Sequence, residues 1–370
     1  MADIEVGQGK TGRRAYGFDE VAIVPSRRTR DPEDVSTAWQ IDAYRFDLPL
    51  LASPMDSVVS PQSAITIGQL GGLGVLDLEG VWTRYEEPEP LLAEIAALDD
   101  ADATRRLQQI YAEPVKEHLI GERIQQVREA GITTAAALSP QRTVQFHKAV
   151  LEAGVDLFVI RGTTVSAEHV SGGAESLNLK QFIYELDVPV IVGGCATYQA
   201  ALHLMRTGAA GVLVGFGGGS SHTTRDVLGV TVPMATAVAD VAAARRDYLD
   251  ESGGRYVHVI ADGGMTRSGD VARGLACGAD AVMVGSPLAR AHEAPGRGYH
   301  WGSEAHHPEL PRGARMRTDT VGTMEQILLG PSDRPDGSMN IAGALRRTMA
   351  TAGYSDLKEF QRVGVVATGP

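Results

Sequence analysis

Short apolar runs recur eight times along the chain, and each run is followed by glycine, serine or proline. Consecutive apolar positions in a run of this length predict a strand that is buried on both faces, which is typical of a parallel sheet. The eight runs are LPLLASP from Leu48, GGLGVLDL from Gly71, TTAAAL from Thr133, VDLFVIRG from Val155, VPVIVGG from Val188, GVLVGF from Gly211, YVHVIADGG from Tyr256 and DAVMVGS from Asp280.

Segments with helical periodicity separate most of these runs. Two examples are TYQAALHLMRTGA at 197–209 and RSGDVARGLACGA at 267–279, each with a glycine just before the next strand, a pattern typical of helix ends. Eight strand–helix alternations predict an α/β fold, a (β/α)8 TIM barrel that forms a single domain over residues 1–370. An open doubly wound sheet is the alternative, but eight parallel strands would be unusual in it.

Two stretches do not fit the repeat. Residues 79–130, after the second run, are too long for one helix and read as a helical insertion of two or three helices. Residues 291–340, after the eighth run, are rich in Gly, Pro, His and charged residues, and a loop of this length in a compact domain is typically a lid or is disordered. Because that stretch follows the last strand, we expect a lid at the catalytic face of the barrel.

Charge and composition exclude several classes of partner. The net charge is −12 and no basic stripe is present, so we expect no nucleic-acid partner. No apolar run reaches the roughly 20 residues that span a bilayer, which predicts a protein without a membrane partner. Cys195 and Cys277 are the only cysteines and form neither a disulfide framework nor a zinc spacing, and with no signal peptide evident we expect a cytoplasmic protein without a bound metal.

Three glycine- and hydroxyl-rich loops follow the last three predicted strands. They read GFGGGSSHTTR, ADGGMTRSGD and VGSPLA, and the carboxyl ends of barrel strands are where ligands and phosphate groups bind. Gly263, Gly264, Gly285 and Ser286 offer backbone amides and a hydroxyl to an anion, and Asp262 can accept two ribose hydroxyls. The alternatives are ordinary turn glycines at barrel corners and an aspartate that caps a helix or turn.

Several motifs together resemble the IMP dehydrogenase/GMP reductase family. They are GFDEVAIVPS (17–26), LASPMDSV (51–58), GGLGVLDL, VIADGGMTRSGDVARGLACGADAVMVGSPLA (259–289) and HEAPG (292–296). This resemblance implies a (β/α)8 barrel that binds a purine nucleoside 5′-monophosphate, assembles as a homotetramer and uses NAD or NADP. The CBS regulatory domains that many family dehydrogenases insert after the second strand are replaced here by residues 79–130.

The resemblance also assigns roles to individual residues. Ser220 and the glycines and serine of the last two loops would hold the phosphate, Asp262 the ribose, and Ser53 and Met55 would pack beside the nucleotide. The implied substrate-binding set is Ser53, Met55, Ser220, Asp262, Gly263, Gly264, Gly285, Ser286 and Tyr299, the last as a phosphate contact.

The sequence departs from the family at the residue that does the chemistry. The family loop reads G-x-G-S-x-C-T-T-R, and its cysteine attacks the purine C2. Here His222 stands at the cysteine position, followed by Thr223 and Thr224, and two glycines are inserted ahead of it. An imidazole does not readily replace a thiolate nucleophile, so His222 and Thr224 are the candidate catalytic residues of an altered site.

Two further departures bear on the cofactor. Arg161 stands where the family ends its fourth strand with an aspartate that contacts the nicotinamide ribose, and the lid lacks a clear Arg–Tyr pair for water activation. Three functions therefore stay open. They are NAD(P)-dependent IMP oxidation or GMP reduction, a non-catalytic nucleotide sensor or partner subunit, and another reaction on a purine nucleotide with His222 as general acid or base.

Overall fold

Eight parallel strands form a closed barrel in a computed structural model that describes residues 3–25, 27–169, 177–216, 218–309 and 313–368. The last strand pairs with the first, with Val282 opposite Leu50, which closes the sheet. The predicted TIM barrel is therefore confirmed. The strands are β1 (Leu50–Ala52), β2 (Leu73–Asp77), β3 (Ala135–Leu138), β4 (Leu157–Arg161), β5 (Val190–Cys195), β6 (Gly211–Val214), β7 (His258–Asp262) and β8 (Ala281–Val284).

Helices surround the barrel and connect its strands. Several start on a side chain that caps the free amides of the first turn: Ser60, Ser139 and Thr197 each accept a hydrogen bond from the amide three residues on. The helices are α1 (Pro61–Gln69), α2 (Glu89–Ala97), α3 (Asp100–Tyr111), α4 (Glu117–Glu129), α5 (Pro140–Glu152), α6 (Leu179–Tyr184), α7 (Tyr198–Met205), α8 (Thr224–Leu228), α9 (Met234–Glu251), α10 (Ser268–Ala276), α11 (Ser286–Ala289), α12 (Met324–Leu328), α13 (Ile341–Ala352) and α14 (Leu357–Phe360).

The stretch between β2 and β3 contains α2, α3 and α4, preceded by a 3-10 turn at Val81–Thr83. Helix α4 packs against α1 and α5 and so takes the place of the barrel helix between β2 and β3. Helices α2 and α3 lie outside that ring. Their apolar side chains form a separate buried cluster that also includes two residues of the segment after β8; its members are Val81, Leu92, Ile95, Leu107, Ile110, Tyr111, Trp301 and Ala305.

The segment after β8 contains little regular structure in its described part. Two short strands, Tyr299–His300 and Met316–Arg317, pair with each other, and a 3-10 turn spans Ser303–Ala305. Trp301 is 1% exposed and lies in the cluster formed with α2 and α3. Packing of this kind holds residues 299–306, which belong to the predicted lid at 291–340, against the helical insertion.

Among the described residues, three further two-stranded ribbons lie outside the barrel, and one of them is at the end opposite the cavity. The hairpin of Trp39–Ile41 and Tyr44–Phe46 lies under the barrel, where the Trp39 indole donates to Nδ1 of His258 at 3.2 Å. The other ribbons join Asp3–Gly7 to Lys10–Arg13 and Val21–Val24 to Gly364–Ala367. In the parts of the chain that the structure describes, no helix is long and apolar enough to cross a bilayer.

A buried carboxylate organises the polar contacts at this end. Asp280 accepts hydrogen bonds from Arg245 at 2.6 Å, Tyr256 at 2.6 Å and the amide of Val259 at 2.8 Å, and Lys358 lies 2.5 Å away. Burial alone would raise the pKa of Asp280, but the charges of Arg245 and Lys358 outweigh it and lower that pKa to about 2.

Replacing Asp280 with Asn should lower the free energy of unfolding by about 3 kcal/mol at neutral pH, because Arg245 would be left buried without its charged partner. Since the folded-state pKa lies below the unfolded value, the carboxylate stabilises the fold above about pH 4 and that contribution is lost as the pH falls toward 2. Urea denaturation of wild type and Asp280→Asn between pH 7 and pH 3 measures this, with exposed Asp333→Asn as control. A constant small difference across that range would contradict the prediction.

Candidate functional site

A cavity of about 280 Å³ opens at the carboxyl ends of the barrel strands. Side chains that end β2, β4 and β7 line it, together with the loops after β6 and β8 and part of the lid. It brings together most of the residues predicted from the sequence, namely Ser53, Met55, Ser220, His222, Thr224, Asp262, Gly263, Gly264, Gly285 and Ser286.

The three glycine-rich loops meet on one side of this cavity. The hydroxyls of Ser220 and Ser286 lie 3.0 Å apart, which joins the loop after β6 to the loop after β8. Gly263 and Gly264, after β7, have φ of +87° and +74°, a region that favours glycine. A side chain on Gly263 would place its first carbon 3.5 Å from the amide nitrogen of Gly219. At Gly263 the positive φ, rather than a lack of space, therefore favours glycine; Gly217, in the loop after β6, lies outside the described residues.

Gly285 and Ser286 stand at the junction of β8 and α11, which is a single turn of four residues. A side chain on Gly285 would meet the sulfur of Met55 and the ring of His300, both at 3.2 Å. Met55 and Ser53 follow β1 and are 4% and 3% exposed. The buried thioether of Met55 forms an apolar part of the cavity lining, next to the loops that carry the hydroxyls.

Arg161, at the end of β4, and Asp262, at the end of β7, face each other across the cavity. Nε of Arg161 lies 3.5 Å from Oδ2 of Asp262, and their side chains are 20% and 12% exposed. The ion pair brings Asp262, which is predicted to hold the ribose, next to Arg161. Arg161 is positively charged where the resemblance implies an aspartate. Spacing along the chain gives no sign of this contact, because 101 residues separate the two positions.

His222 is held by a carboxylate of the lid. Its Nδ1 lies 3.0 Å and 3.2 Å from the two carboxylate oxygens of Glu304, which belongs to the 3-10 turn Ser303–Ala305. Burial would raise the pKa of Glu304, but the hydrogen bond and charge of His222 lower it below its usual range. The carboxylate is therefore ionised at neutral pH, and it links the loop after β6 to the lid. Sequence reasoning did not identify Glu304.

Thr224 and His300 complete the surroundings of His222. Thr224 is the first residue of α8 and is 2% exposed. His300 bonds through Nδ1 to the hydroxyl of Ser57 at 2.9 Å. Burial, with a smaller effect of the nearby His222, lowers the pKa of His300 to about 4, so this imidazole is neutral at physiological pH.

Tyr299 does not lie among the described residues that line the cavity. Its ring lies 3.9 Å from the guanidinium of Arg315, whose side chain donates to the carbonyls of Ile95 and Leu98 at the end of α2. Tyr299 pairs with Arg317 in the two-stranded ribbon after β8. Its position gives no support to the predicted phosphate contact and instead joins the lid to the insertion.

The far end of the cavity is formed by residues of the insertion and of β2. Tyr111 of α3 donates its hydroxyl to Asp56, accepts from the indole of Trp301 at 3.0 Å and stacks its ring on His306 at 3.7 Å. Burial raises the pKa of Asp56 to about 6, against the hydrogen bonds from Tyr111 and the amide of Val81. Tyr111 of the insertion thus contacts Asp56, in the loop after β1, and two lid residues, Trp301 and His306.

Neither cysteine is among the described residues around the cavity. Cys195 is buried at the end of β5 with its thiol directed at the carbonyl of Leu213, and burial raises its pKa to about 12. Cys277 caps the end of α10, and burial raises its pKa to about 11. Both are protonated at neutral pH. Within the described ranges no group of three His, Cys, Asp or Glu side chains could hold a metal ion.

Comparisons with known proteins all indicate the same family. Residues 15–307 match the model of the IMP dehydrogenase / GMP reductase domain. An uncharacterized oxidoreductase of Mycolicibacterium smegmatis is 54% identical over 98% of this chain and 99% of its own. One from Mycobacterium tuberculosis (strain ATCC 25618 / H37Rv) is also 54% identical, over 99% and 100%. The inosine-5′-monophosphate dehydrogenase of Methanocaldococcus jannaschii is 26% identical over 77% of this chain and 74% of its own.

A solved structure agrees over the whole barrel. The crystal structure of an IMP dehydrogenase/GMP reductase-like protein from Corynebacterium glutamicum superimposes with a TM-score of 0.94 and 51% identity, covering 99% of this chain and 97% of that one. The match in sequence and fold agrees with the motifs around β1, β7 and β8. The chain belongs to the IMP dehydrogenase/GMP reductase family.

Proposed function

We propose that the cavity binds a purine nucleoside 5′-monophosphate and that the cysteine-dependent redox reaction of the family does not take place in it. The observation that carries the first half is the convergence of three glycine-rich loops, with the Ser220 and Ser286 hydroxyls 3.0 Å apart. Close-packed glycine backbone with two hydroxyls suits a phosphate, which takes hydrogen bonds from amides and hydroxyls. Asp262, at the end of the intervening strand, is the matching acceptor for ribose hydroxyls.

The proposal that the cysteine-dependent redox reaction does not take place rests on His222. The family reaction begins with a thiolate that adds to the purine ring, and this chain places an imidazole at that position. Its Nδ1 is engaged by Glu304, and the two thiols of the chain are protonated and lie away from the described cavity lining. Loss of a nucleophile that acts in concert with its neighbours removes several powers of ten in rate.

Arg161 argues against the nicotinamide cofactor that the family uses. An aspartate is expected at this strand end, and Arg161 instead pairs with Asp262 at 3.5 Å. A cofactor ribose would lose its acceptor and meet a guanidinium that donates only. An NAD(P)-dependent IMP dehydrogenase or GMP reductase therefore remains the alternative that family membership supports and these residues oppose.

A second candidate is proton transfer by His222. Because Nδ1 bonds to Glu304, the ring is oriented, and no described residue bonds to Nε2, which can therefore take or give a proton as general acid–base catalysis requires. The non-catalytic alternative is a nucleotide sensor or a partner subunit of a true dehydrogenase. For either role we expect a cytoplasmic homotetramer, as in the family.

Purine 5′-monophosphates should raise the melting temperature, since a ligand at a hundredfold excess over its Kd stabilises the folded state by about 2.7 kcal/mol. Ser286→Asp should abolish the shift, because a carboxylate would face the phosphate. Thermal-shift assays with IMP, XMP, GMP and AMP, each with and without NAD and NADP, measure this. Exposed Ser332→Asp is the control and should keep the shift. Absence of any shift at millimolar nucleotide would refute the binding proposal.

Wild-type protein should show no turnover of NAD(P)H with IMP, XMP or GMP, followed by absorbance of the reduced cofactor. His222→Cys restores a thiol but not the loop length, so it should keep nucleotide binding and gain at most slight activity. Deleting Gly218 and Gly219 as well should increase that activity, which Arg161 would then limit. Robust wild-type turnover that survives replacement of both Cys195 and Cys277 would show that the redox reaction runs without a cysteine.

A further inference from the structure

We propose that the side of the cavity formed by the ends of β2, β3 and β4 binds a second ligand beside the nucleotide, and that this ligand is a zwitterion, an α-amino acid. Asp77, at the end of β2, would hold its ammonium group, and Arg161, at the end of β4, its carboxylate. The inference rests on the proposed function for the position of the nucleotide, which would occupy the loops after β6 and β8.

Asp77 and Arg161 end two strands that lie on either side of β3. Asp77 pairs with Ala137 of β3, and Ala137 pairs with Val159, two residues before Arg161. Because neighbouring strands lie about 4.8 Å apart, β2 and β4 are separated by roughly 10 Å, with the small residue Ala137 between them. An acid and a base thus flank a gap that suits a small molecule carrying both charges. The gap is lined by Ala137, Ser139, Gly162 and Thr163.

Arg161 has donors that lack acceptors. Its side chain is 20% exposed and its Nε lies 3.5 Å from Oδ2 of Asp262, while neither terminal nitrogen of the guanidinium bonds to a described residue. The two terminal nitrogens of a guanidinium form a planar fork that matches the two oxygens of a carboxylate. A ligand carboxylate would therefore satisfy these donors and leave the contact between Arg161 and Asp262 in place.

The carboxylates next to the gap have acceptors that lack donors. Asp77 accepts a hydrogen bond from the amide of Glu79 at 2.9 Å, and Oδ1 of Asp56 has no partner among the described residues, although Asp56 lines the cavity and is 3% exposed. The nearby guanidinium of Arg84 donates to backbone carbonyls instead. Burial and the like charges of two neighbouring carboxylates raise the pKa of Asp77 well above its usual range, against the charge of Arg161. An ammonium group brings the missing positive charge and three donors.

Other ligand classes fit these groups less well. The diphosphate of a dinucleotide cofactor would meet the like charges of Asp56 and Asp77. The cavity of about 280 Å³ is also at the lower end of the range for drug-sized ligands, which a nucleotide and a dinucleotide together exceed. A carboxylate without an amine would meet the same repulsion, and an amine without a carboxylate would leave Arg161 unsatisfied. An amino acid satisfies both ends of the gap.

Thermal-shift assays with each of the standard amino acids, with methylammonium and with acetate test the inference, at millimolar concentration and in the presence and absence of IMP. We expect at least one amino acid to raise the melting temperature by about 2 °C or more beyond that of the protein with IMP alone. Methylammonium and acetate, which each carry one of the two charges, should give no such shift.

Two variants without charge assign the shift to the gap. Asp77→Asn keeps an acceptor for the amide of Glu79, and both Asp77→Asn and Arg161→Met should weaken binding of that amino acid at least tenfold in isothermal titration. Asp77→Asn should leave IMP binding unchanged. The exposed pair Asp102–Arg105, outside the cavity lining, supplies matched controls, and Asp102→Asn and Arg105→Met should behave as wild type.

Three results would overturn the inference: no shift with any amino acid, an equal shift with methylammonium or acetate, or an amino-acid affinity that neither Asp77→Asn nor Arg161→Met lowers. The shift with nucleotide alone reports on the proposed function separately. If nucleotides bind and amino acids do not, the proposed function stands and this inference fails. If neither binds, both fail.

Discussion

Hydrogen bonding between β8 and β1 closes the sheet, and the position of every side chain in the cavity depends on that closure. With Val282 opposite Leu50, the loop after β8 comes next to the residues after β1, which is how Ser286 and Met55 share one cavity. Pairing of β6, β7 and β8 in sequence order places their three glycine-rich loops side by side. The surface that we propose binds phosphate is thus a consequence of parallel strands ending at one edge.

The lid is positioned by packing as well as by hydrogen bonds. Trp301 lies in the apolar cluster of α2 and α3, and Tyr111 contacts Asp56, Trp301 and His306. This packing places the turn that carries Glu304 over the loop after β6, where its carboxylate reaches His222. Helices α2 and α3 therefore help to shape the site, and His222 is oriented by Glu304 of the segment that they pack against.

Much of the fold could be predicted because its signals are local. Each barrel strand is a short apolar run, and each phosphate-side loop has its glycines and hydroxyls in consecutive positions. The features that could not be predicted depend on contacts between distant segments, such as Glu304 with His222 and Arg161 with Asp262. Neither the spacing nor the composition of the sequence indicates these contacts. The phosphate contact of Tyr299 stays a prediction, and its packing on Arg315 is another contact that the sequence does not indicate.

The most direct test of the account is a crystal structure of the protein with a purine nucleoside 5′-monophosphate. We expect electron density for the phosphate within hydrogen-bonding distance of the Ser220 and Ser286 hydroxyls and for the ribose at Asp262. The base should lie beside Met55, and no covalent bond should join it to the protein. A nucleotide bound elsewhere, one bound in the reverse direction, or a cavity that stays empty at saturating nucleotide would contradict it.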